Sequence, residues 1–277
     1  MEWILEVQDI HKSFARHFNN QNGLAEAEIA EVLTGVSFQL TQGSVTALIG
    51  SNGSGKSTLF NIISGLIRPN RGKVYFRSQD RIYDLTSVSS YRQANMGISR
   101  LFQGSNVFEN LTVLENLLIA DNCRTGERPW HIFFNPCKVN QVEKLRIEEA
   151  EQILSKLLGS INPLWEKRNL PAGRLSLGQQ RILAFTRLFM NEEAKLFLLD
   201  EPCAGVNSDV REIMAEMIQK LKTDGKTVLL IEHNLDFATK VSGEGLYLEG
   251  GKLIIRDDIA NVINHQIVVQ NYLGQNA

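Results

Sequence analysis

Nine consecutive residues, Gly50-Ser51-Asn52-Gly53-Ser54-Gly55-Lys56-Ser57-Thr58, set glycines, a lysine and hydroxyls in the spacing G-x-x-x-x-G-K-[ST], which makes a phosphate cradle. Gly50 and Gly55 permit backbone conformations that a side chain blocks. Amides at a helix start point at an anion with the positive end of the helix dipole behind them. Lys56 then offers its charge to the outer phosphates of a chain, and Ser57 offers a hydroxyl to Mg²⁺. A second reactive pair, Asp200-Glu201, follows the apolar run Leu196 to Leu199. Carboxylates at the point where a buried strand emerges lie where open α/β sheets bind ligands. One acid suits a Mg²⁺ held through water, and this role falls to Asp200. The other orients or deprotonates an attacking water, and this falls to Glu201; the two are the protein's tasks in phosphoryl transfer to water. Ser176, ahead of Leu177-Gly178-Gln179, reads as the N-cap of a helix whose start could hold a second anion; a routine capped helix fits the same residues.

These groups need elements to position them. Val45 to Ile49 is a short apolar run that reads as a buried strand ahead of the cradle, and Leu59, Ile62, Ile63 and Leu66 recur at helical spacing after it. Strands are expected at residues 3 to 10, 32 to 40, from Gly72, and at Gly97 to Phe102. Ala15 to Glu31 is expected to be a polar loop insert with a short helical piece at Ala25 to Glu31. From Gln103 to about Asn191 the apolar residues fall at three- and four-residue spacing, in Thr112 to Ala120, Val142 to Leu158 and Leu177 to Met190, so this stretch reads as a helical insertion. Strands resume at Lys195 to Leu199 and Thr227 to Ile231, on either side of a helix striped by Val210, Ile213, Met214, Met217, Ile218 and Leu221. Alternation of strand and helix points to an α/β fold with a mainly parallel sheet covered on both faces. Tyr247 to Ile255 reads as a hairpin about Gly250-Gly251, with a short helical tail after it.

With 277 residues, 43% of them hydrophobic, the chain can bury a sizeable core. A net charge of -2 supplies no basic field, so no nucleic-acid partner is expected. Cys123, Cys137 and Cys203 are odd in number and widely spaced, which supports neither a disulfide framework nor a zinc site. The start, Met1-Glu2-Trp3-Ile4-Leu5-Glu6, lacks the basic end and apolar core of a signal peptide, and no apolar run reaches about 18 residues. The chain is expected to be cytosolic, reaching a membrane only through a partner.

On these residues the sequence resembles the ATP-binding subunits of ABC transporters. Gly50 to Ser57 is similar to their Walker A motif, Gln103 in Arg100-Leu101-Phe102-Gln103 to the Q-loop glutamine, and Leu175 to Gln179 to the family signature. Leu196 to Glu201 matches Walker B with its glutamate, Ala204-Gly205-Val206-Asn207 the D-loop, and His233 in Ile231-Glu232-His233-Asn234 the switch histidine. The resemblance implies a P-loop NTPase fold in a single ABC ATPase domain. Its RecA-like core would span about 1–102 and 192–255, with an antiparallel β portion, a helical subdomain at about 103–191 and a helical tail at about 256–277. It implies ATP and Mg²⁺ as cofactors, with Ser57, Gln103 and Asp200 toward the metal, and an aromatic on adenine, for which Phe14 matches best and Phe18 stays open. It implies hydrolysis with Glu201 as base and His233 on the γ-phosphate. It also implies a head-to-tail pair of ATPase subunits, in which Ser176, Leu177, Gly178 and Gln179 act in trans on the nucleotide bound by the opposite Lys56. Leu177 and Asn207 depart from the commonest family pattern, and neither removes a phosphate ligand.

Leu111 to Leu117, Gln179-Gln180-Arg181, Ile231 to Asn234 and Tyr272-Leu273-Gly274 narrow the resemblance to the ATPases of branched-chain amino acid importers, a group that also takes up urea and other amides. The lipopolysaccharide-export ATPase is a near relative. This branch implies transmembrane permease subunits, an extracytoplasmic solute-binding protein and a peripheral place on the cytoplasmic face of the cell membrane. A groove beside Gln103, running to Glu115, is expected to receive the permease, and Pro129 to Phe134 to lie near it. The competing readings are a soluble ABC ATPase, disfavoured by the single cassette without heptads or cysteine pairs, and a kinase or GTPase, which leaves the signature unexplained.

Overall fold

The computed structural model describes residues 2–19, 25–79, 81–104, 107–120, 136–159, 163–191 and 193–273, by backbone alone at 16–19, 25–28, 136–141, 143 and 272–273. In chain order its elements are β1 (Trp3–Asn19), β2 (Ala25–Thr41), β3 (Val45–Ile49), α1 (Lys56–Ile63), β4 (Arg71–Ser78), β5 (Arg81–Asp84), α2 (Ser90–Asn95), β6 (Ile98–Leu101), α3 (Val113–Leu118) and α4 (Pro136–Leu158). They continue with α5 (Pro163–Glu166), α6 (Leu177–Thr186), β7 (Leu196–Asp200), α7 (Ser208–Thr223), β8 (Thr227–Ile231), α8 (Leu235–Val241), β9 (Glu244–Glu249), β10 (Lys252–Asp258), α9 (Ile259–Asn264) and α10 (Gln266–Leu273).

Two sheets result. One has the order β10-β9-β3-β8-β7-β6, parallel except for the antiparallel β9–β10 hairpin. The other, β2-β1-β4-β5, is antiparallel throughout. All residues of β3, β7 and β8 are buried, as strands covered on both faces require. Their side chains alternate between two cores. Ala47, Ile49, Phe197, Leu199, Val228 and Leu230 face the one built with Leu117, Leu154, Leu183 and Phe185 of the helical region. Leu48, Leu196, Leu198, Leu229 and Ile231 face the other, built with Leu59, Phe60 and Ile63 of α1 and with Leu5, Phe38 and Val74 of the antiparallel sheet. The α/β fold with a mainly parallel sheet, an antiparallel portion and a helical region is therefore present as expected.

The insert at 15 to 31 is a correction. Its described residues form no helix: β1 and β2 continue as an antiparallel ladder through Phe14↔Ala30 and Arg16↔Glu28 to Asn19↔Ala25. Ala and Glu favour helix in isolation, but Ala25, Ala27 and Ile29 alternate with Glu26 and Glu28, a two-residue period that an adjoining strand selects. The helix expected to reach Met190 stops at Thr186 and tightens into a 3₁₀ turn over Arg187–Met190. The short elements β5, α2 and α8 carried too few residues to show a period. Pro129 to Phe134 lies outside the described residues. Among the described residues, no helix is long and apolar enough to cross a membrane.

Candidate functional site

The cradle joins β3 to α1, and two of its glycines are required by close approach. A Cβ on Gly50 would lie 2.1 Å from the Leu248 carbonyl oxygen at the end of β9, and one on Gly55 2.7 Å from Leu33 Cδ2 of β2, where φ is also +106°. No side chain caps the start of α1. Lys56 is buried, and its Nζ donates to the carbonyls of Gly50 and Ser51, each at 2.8 Å, so the ammonium curls over the loop. Burial pushes its pKa down, opposed by the charges of Glu201, Glu249 and Asp200. Ser54 Oγ is buried without a hydrogen-bond partner. An orphaned hydroxyl and a lysine bound only to carbonyls, at an uncapped helix start, fit a phosphate chain. Asn52, Gly53 and Ser57 are exposed, with Thr58 half-buried. Ser51 is tied outward, its Oγ donating to Glu249 Oε1 at 2.7 Å.

Asp200 ends β7 and is buried. Arg100 of β6 donates from Nη2 to Asp200 Oδ2 at 3.0 Å and from Nη1 to Asn61 Oδ1 at 2.9 Å and to Ser64 Oγ, while its guanidinium centre stands 4.5 Å from the Phe102 ring centroid. Burial raises the Asp200 carboxyl above its ordinary range, and the Arg100 charge opposes that. Ser57, Gln103 and Asp200 offer oxygens only, a donor set that suits Mg²⁺.

Glu201 is where the distant motifs converge. Gln103 Nε2 donates to its Oε2 at 2.9 Å, and His233 Nε2 lies 3.1 Å from its Oε1. Three side chains separated by about a hundred residues or by a whole strand are thus joined at one carboxylate. Its backbone has φ +48°, the left-handed region, with its amide donating to Ile231 O at 3.0 Å. Two residues in this cluster, both inside segments that narrow the family resemblance, were assigned no chemistry from the sequence. Buried Glu232 accepts from the amides of Cys203 (3.1 Å), His233 (3.1 Å) and Asn234 (3.3 Å). Burial raises its carboxyl, and those amides partly oppose the shift. Buried Arg181 donates to the carbonyls of Glu201 and Pro202. Their place in Gln179-Gln180-Arg181 and Ile231-Glu232-His233-Asn234 was the available signal.

Ser176 is the N-cap of α6. Its Oγ accepts from the Gln179 amide at 3.3 Å, and Gln179 Oε1 accepts from the Ser176 amide at 3.3 Å and from Lys167 Nζ at 3.2 Å. Gly178 packs closely on α7: a Cβ there would stand 2.7 Å from Val210 Cγ2, which would have to shift. Leu177 is 72% exposed. Phe14 stands on β1, 40% exposed, beneath Lys12 Nζ at 5.0 Å. Its neighbour two residues back, Lys12, pairs with Leu33, the β2 residue that abuts Gly55. The side chain of Phe18 lies outside the described residues.

A cavity of about 480 Å³ opens at Phe102 and is lined by Tyr91, Arg100, Ala120, Arg187 and Leu188. Glu115, at the far end of the expected groove, is exposed, and its carboxylate closes the capping box of α3 with Thr112, whose amide holds it below the usual carboxylate range.

Known proteins resemble this chain over most of its length. The family model described as ABC transporter matches residues 33–204. A probable branched-chain amino acid transport ATP-binding protein, LivG, of Archaeoglobus fulgidus is 34% identical over 98% of this chain and 95% of its own. The lipopolysaccharide export system ATP-binding protein LptB of Acidithiobacillus ferridurans is 29% identical over 99% of this chain and 98% of its own. Among solved structures, a nucleotide-free ATP-binding cassette from an ABC transporter superposes with a TM-score of 0.76 at 32% identity, covering 98% of this chain and 99% of that one.

Proposed function

The chain belongs to the ABC transporter family of ATP-binding, ATP-hydrolysing cassettes, and from that premise we propose that it powers uptake of branched-chain amino acids or a related small amide. It does so as one of two ATPase subunits on the cytoplasmic face of the membrane, beneath transmembrane permease subunits fed by an extracytoplasmic solute-binding protein. The observation that carries the hydrolytic reading is Glu201, held at 3.1 Å by His233 and at 2.9 Å by Gln103 at the end of β7. The solute rests on the relative named for branched-chain amino acid transport, aligned over 98% of the chain.

In this reading the phosphates of ATP lie in Gly50 to Thr58. Ser51, Asn52, Gly53 and Ser54 line the loop, and Lys56 exchanges the carbonyls of Gly50 and Ser51 for phosphate oxygens. Phe14 stacks on adenine. Ser57, Gln103 and Asp200 would hold Mg²⁺, which would neutralise phosphate charge. Glu201 takes the proton of the attacking water, and His233 leaves it for the γ-phosphate. Ser176, Leu177, Gly178 and Gln179 meet the nucleotide of the opposite subunit, so ATP favours the closed pair through contacts made on both sides. The cavity beside Phe102 receives a permease helix. Arg100, in its wall and bonded to Asp200, links that surface to the site.

A second reading, an export ATPase, is favoured by the similarity to LptB over 99% of the chain. Purification of the tagged protein from its native membranes in mild detergent, with mass spectrometry of the co-purifying chains, separates the two. Permease subunits with a solute-binding protein support import; export components or soluble partners alone refute it.

A further inference from the structure

The helix whose start meets the opposite nucleotide is tied to the turn that carries the catalytic base in its own subunit. Arg181 lies in α6, five residues after the N-cap Ser176, and is 4% exposed. Its Nη2 donates to the Glu201 carbonyl at 3.0 Å and its Nε to the Pro202 carbonyl at 3.1 Å. Two parallel N–H groups of a planar guanidinium thus take two consecutive carbonyls, a geometry that a lysine cannot reproduce. The amides of the same turn are taken from the other side, Glu201 N by Ile231 O at 3.0 Å and Cys203 N by Glu232 Oε1 at 3.1 Å. Between these holds, Glu201 sits at φ +48°, a conformation that a residue with a side chain adopts only when its surroundings impose it. Glu232 also takes the amides of His233 and Asn234, so one carboxylate ties the turn that follows Glu201, at Cys203, to the backbone of His233.

We propose that Arg181 is a positioning residue for hydrolysis: it aims Glu201 by holding the carbonyls of its turn, and so connects the start of α6 to the base. The connection between the two nucleotides rests on the reading that Ser176 and Gly178 act in trans. The hold on Glu201 does not.

The test compares purified wild type with Arg181→Met and Arg181→Lys. Misplacing a reacting group by about an ångström lowers rates by about a hundredfold. Arg181→Met is therefore expected to lose ten- to a hundredfold, roughly, in kcat, while KM for ATP stays within about twofold. Arg181→Lys, able to serve one carbonyl, falls between. In the Glu201→Gln background, where hydrolysis no longer reports, addition of Arg181→Met is expected to leave ATP-dependent dimers intact on size exclusion. Wild-type kcat in Arg181→Met overturns the proposal. So does loss of the ATP-dependent dimer, or failure of both variants to fold, since either makes Arg181 a scaffold of α6. If Glu201→Gln alone gives no ATP-dependent dimer, the reading in trans fails while the kcat of Arg181→Met still decides the hold on Glu201.

Discussion

Replacing Arg100 with Met should expose how strongly the Walker B carboxylate depends on the buried guanidinium bonded to it. The side chains of Arg100 and Asp200 are each 8% exposed, so neither charge is screened by water once its partner is gone. Met keeps most of the arginine volume, which leaves the uncompensated carboxylate as the main loss. Removing one member of a buried pair costs about 3–5 kcal/mol. Unfolding entropy of roughly 2.1 cal/mol/K per residue over 277 residues gives about 0.6 kcal/mol/K, so the melting temperature should drop by about 5–9 °C. Thermal unfolding of nucleotide-free protein, checked by urea titration, measures this. Adding Asp200→Asn removes the stranded charge and should restore most of the loss, because deleting both members of a buried pair is often near neutral. A loss under about 1 kcal/mol for Arg100→Met, or a double variant destabilised by the sum of the two singles, would refute the reasoning.

Lys56→Ala is expected to weaken ATP binding by about ten- to a hundredfold, the range for a lost charge-assisted hydrogen bond, and fluorescent-nucleotide titration checks it. Glu232 gives a pH prediction. Its carboxyl is raised above the ordinary value of 4.5, so the native state binds the proton more tightly than the unfolded chain. Its contribution is therefore full below about pH 4.5 and is lost as pH rises through the elevated native value. Glu232→Gln forfeits an acceptor and lowers stability overall. Urea unfolding from pH 4 to 8 should nonetheless show the wild type losing stability relative to the variant as pH rises through that window. A constant difference would contradict the raised carboxyl.

The strands β3 and β8 were legible to the residue because both faces are buried and their apolar runs are uninterrupted. The cradle and Asp200-Glu201 were legible for a related reason: each stands at the end of such a strand. The extension of β1 and β2 was not, because Ala25 to Glu31 is built of helix-favouring residues and only the opposite strand, Ser13 to Asn19, selects the two-residue period. The convergence of Gln103 and His233 on the Glu201 carboxylate was not foreseen, since the family register only set Gln103 toward the metal and His233 on the γ-phosphate. Arg181 and Glu232 were invisible as functional residues. Their residue types are ordinary, and their meaning lies in backbone carbonyls and amides that only the folded turn presents.

Glu201, held by Gln103 and His233, is proposed as the base for ATP hydrolysis. Steady-state ATPase measurement on Glu201→Gln, paired with an ATP-binding titration of the same preparation, tests it most directly. General-base catalysis contributes about 10²–10⁴-fold, so turnover is predicted to fall by at least about a hundredfold with ATP affinity preserved. Turnover near wild type would remove Glu201 from that role, however well its two partners hold it.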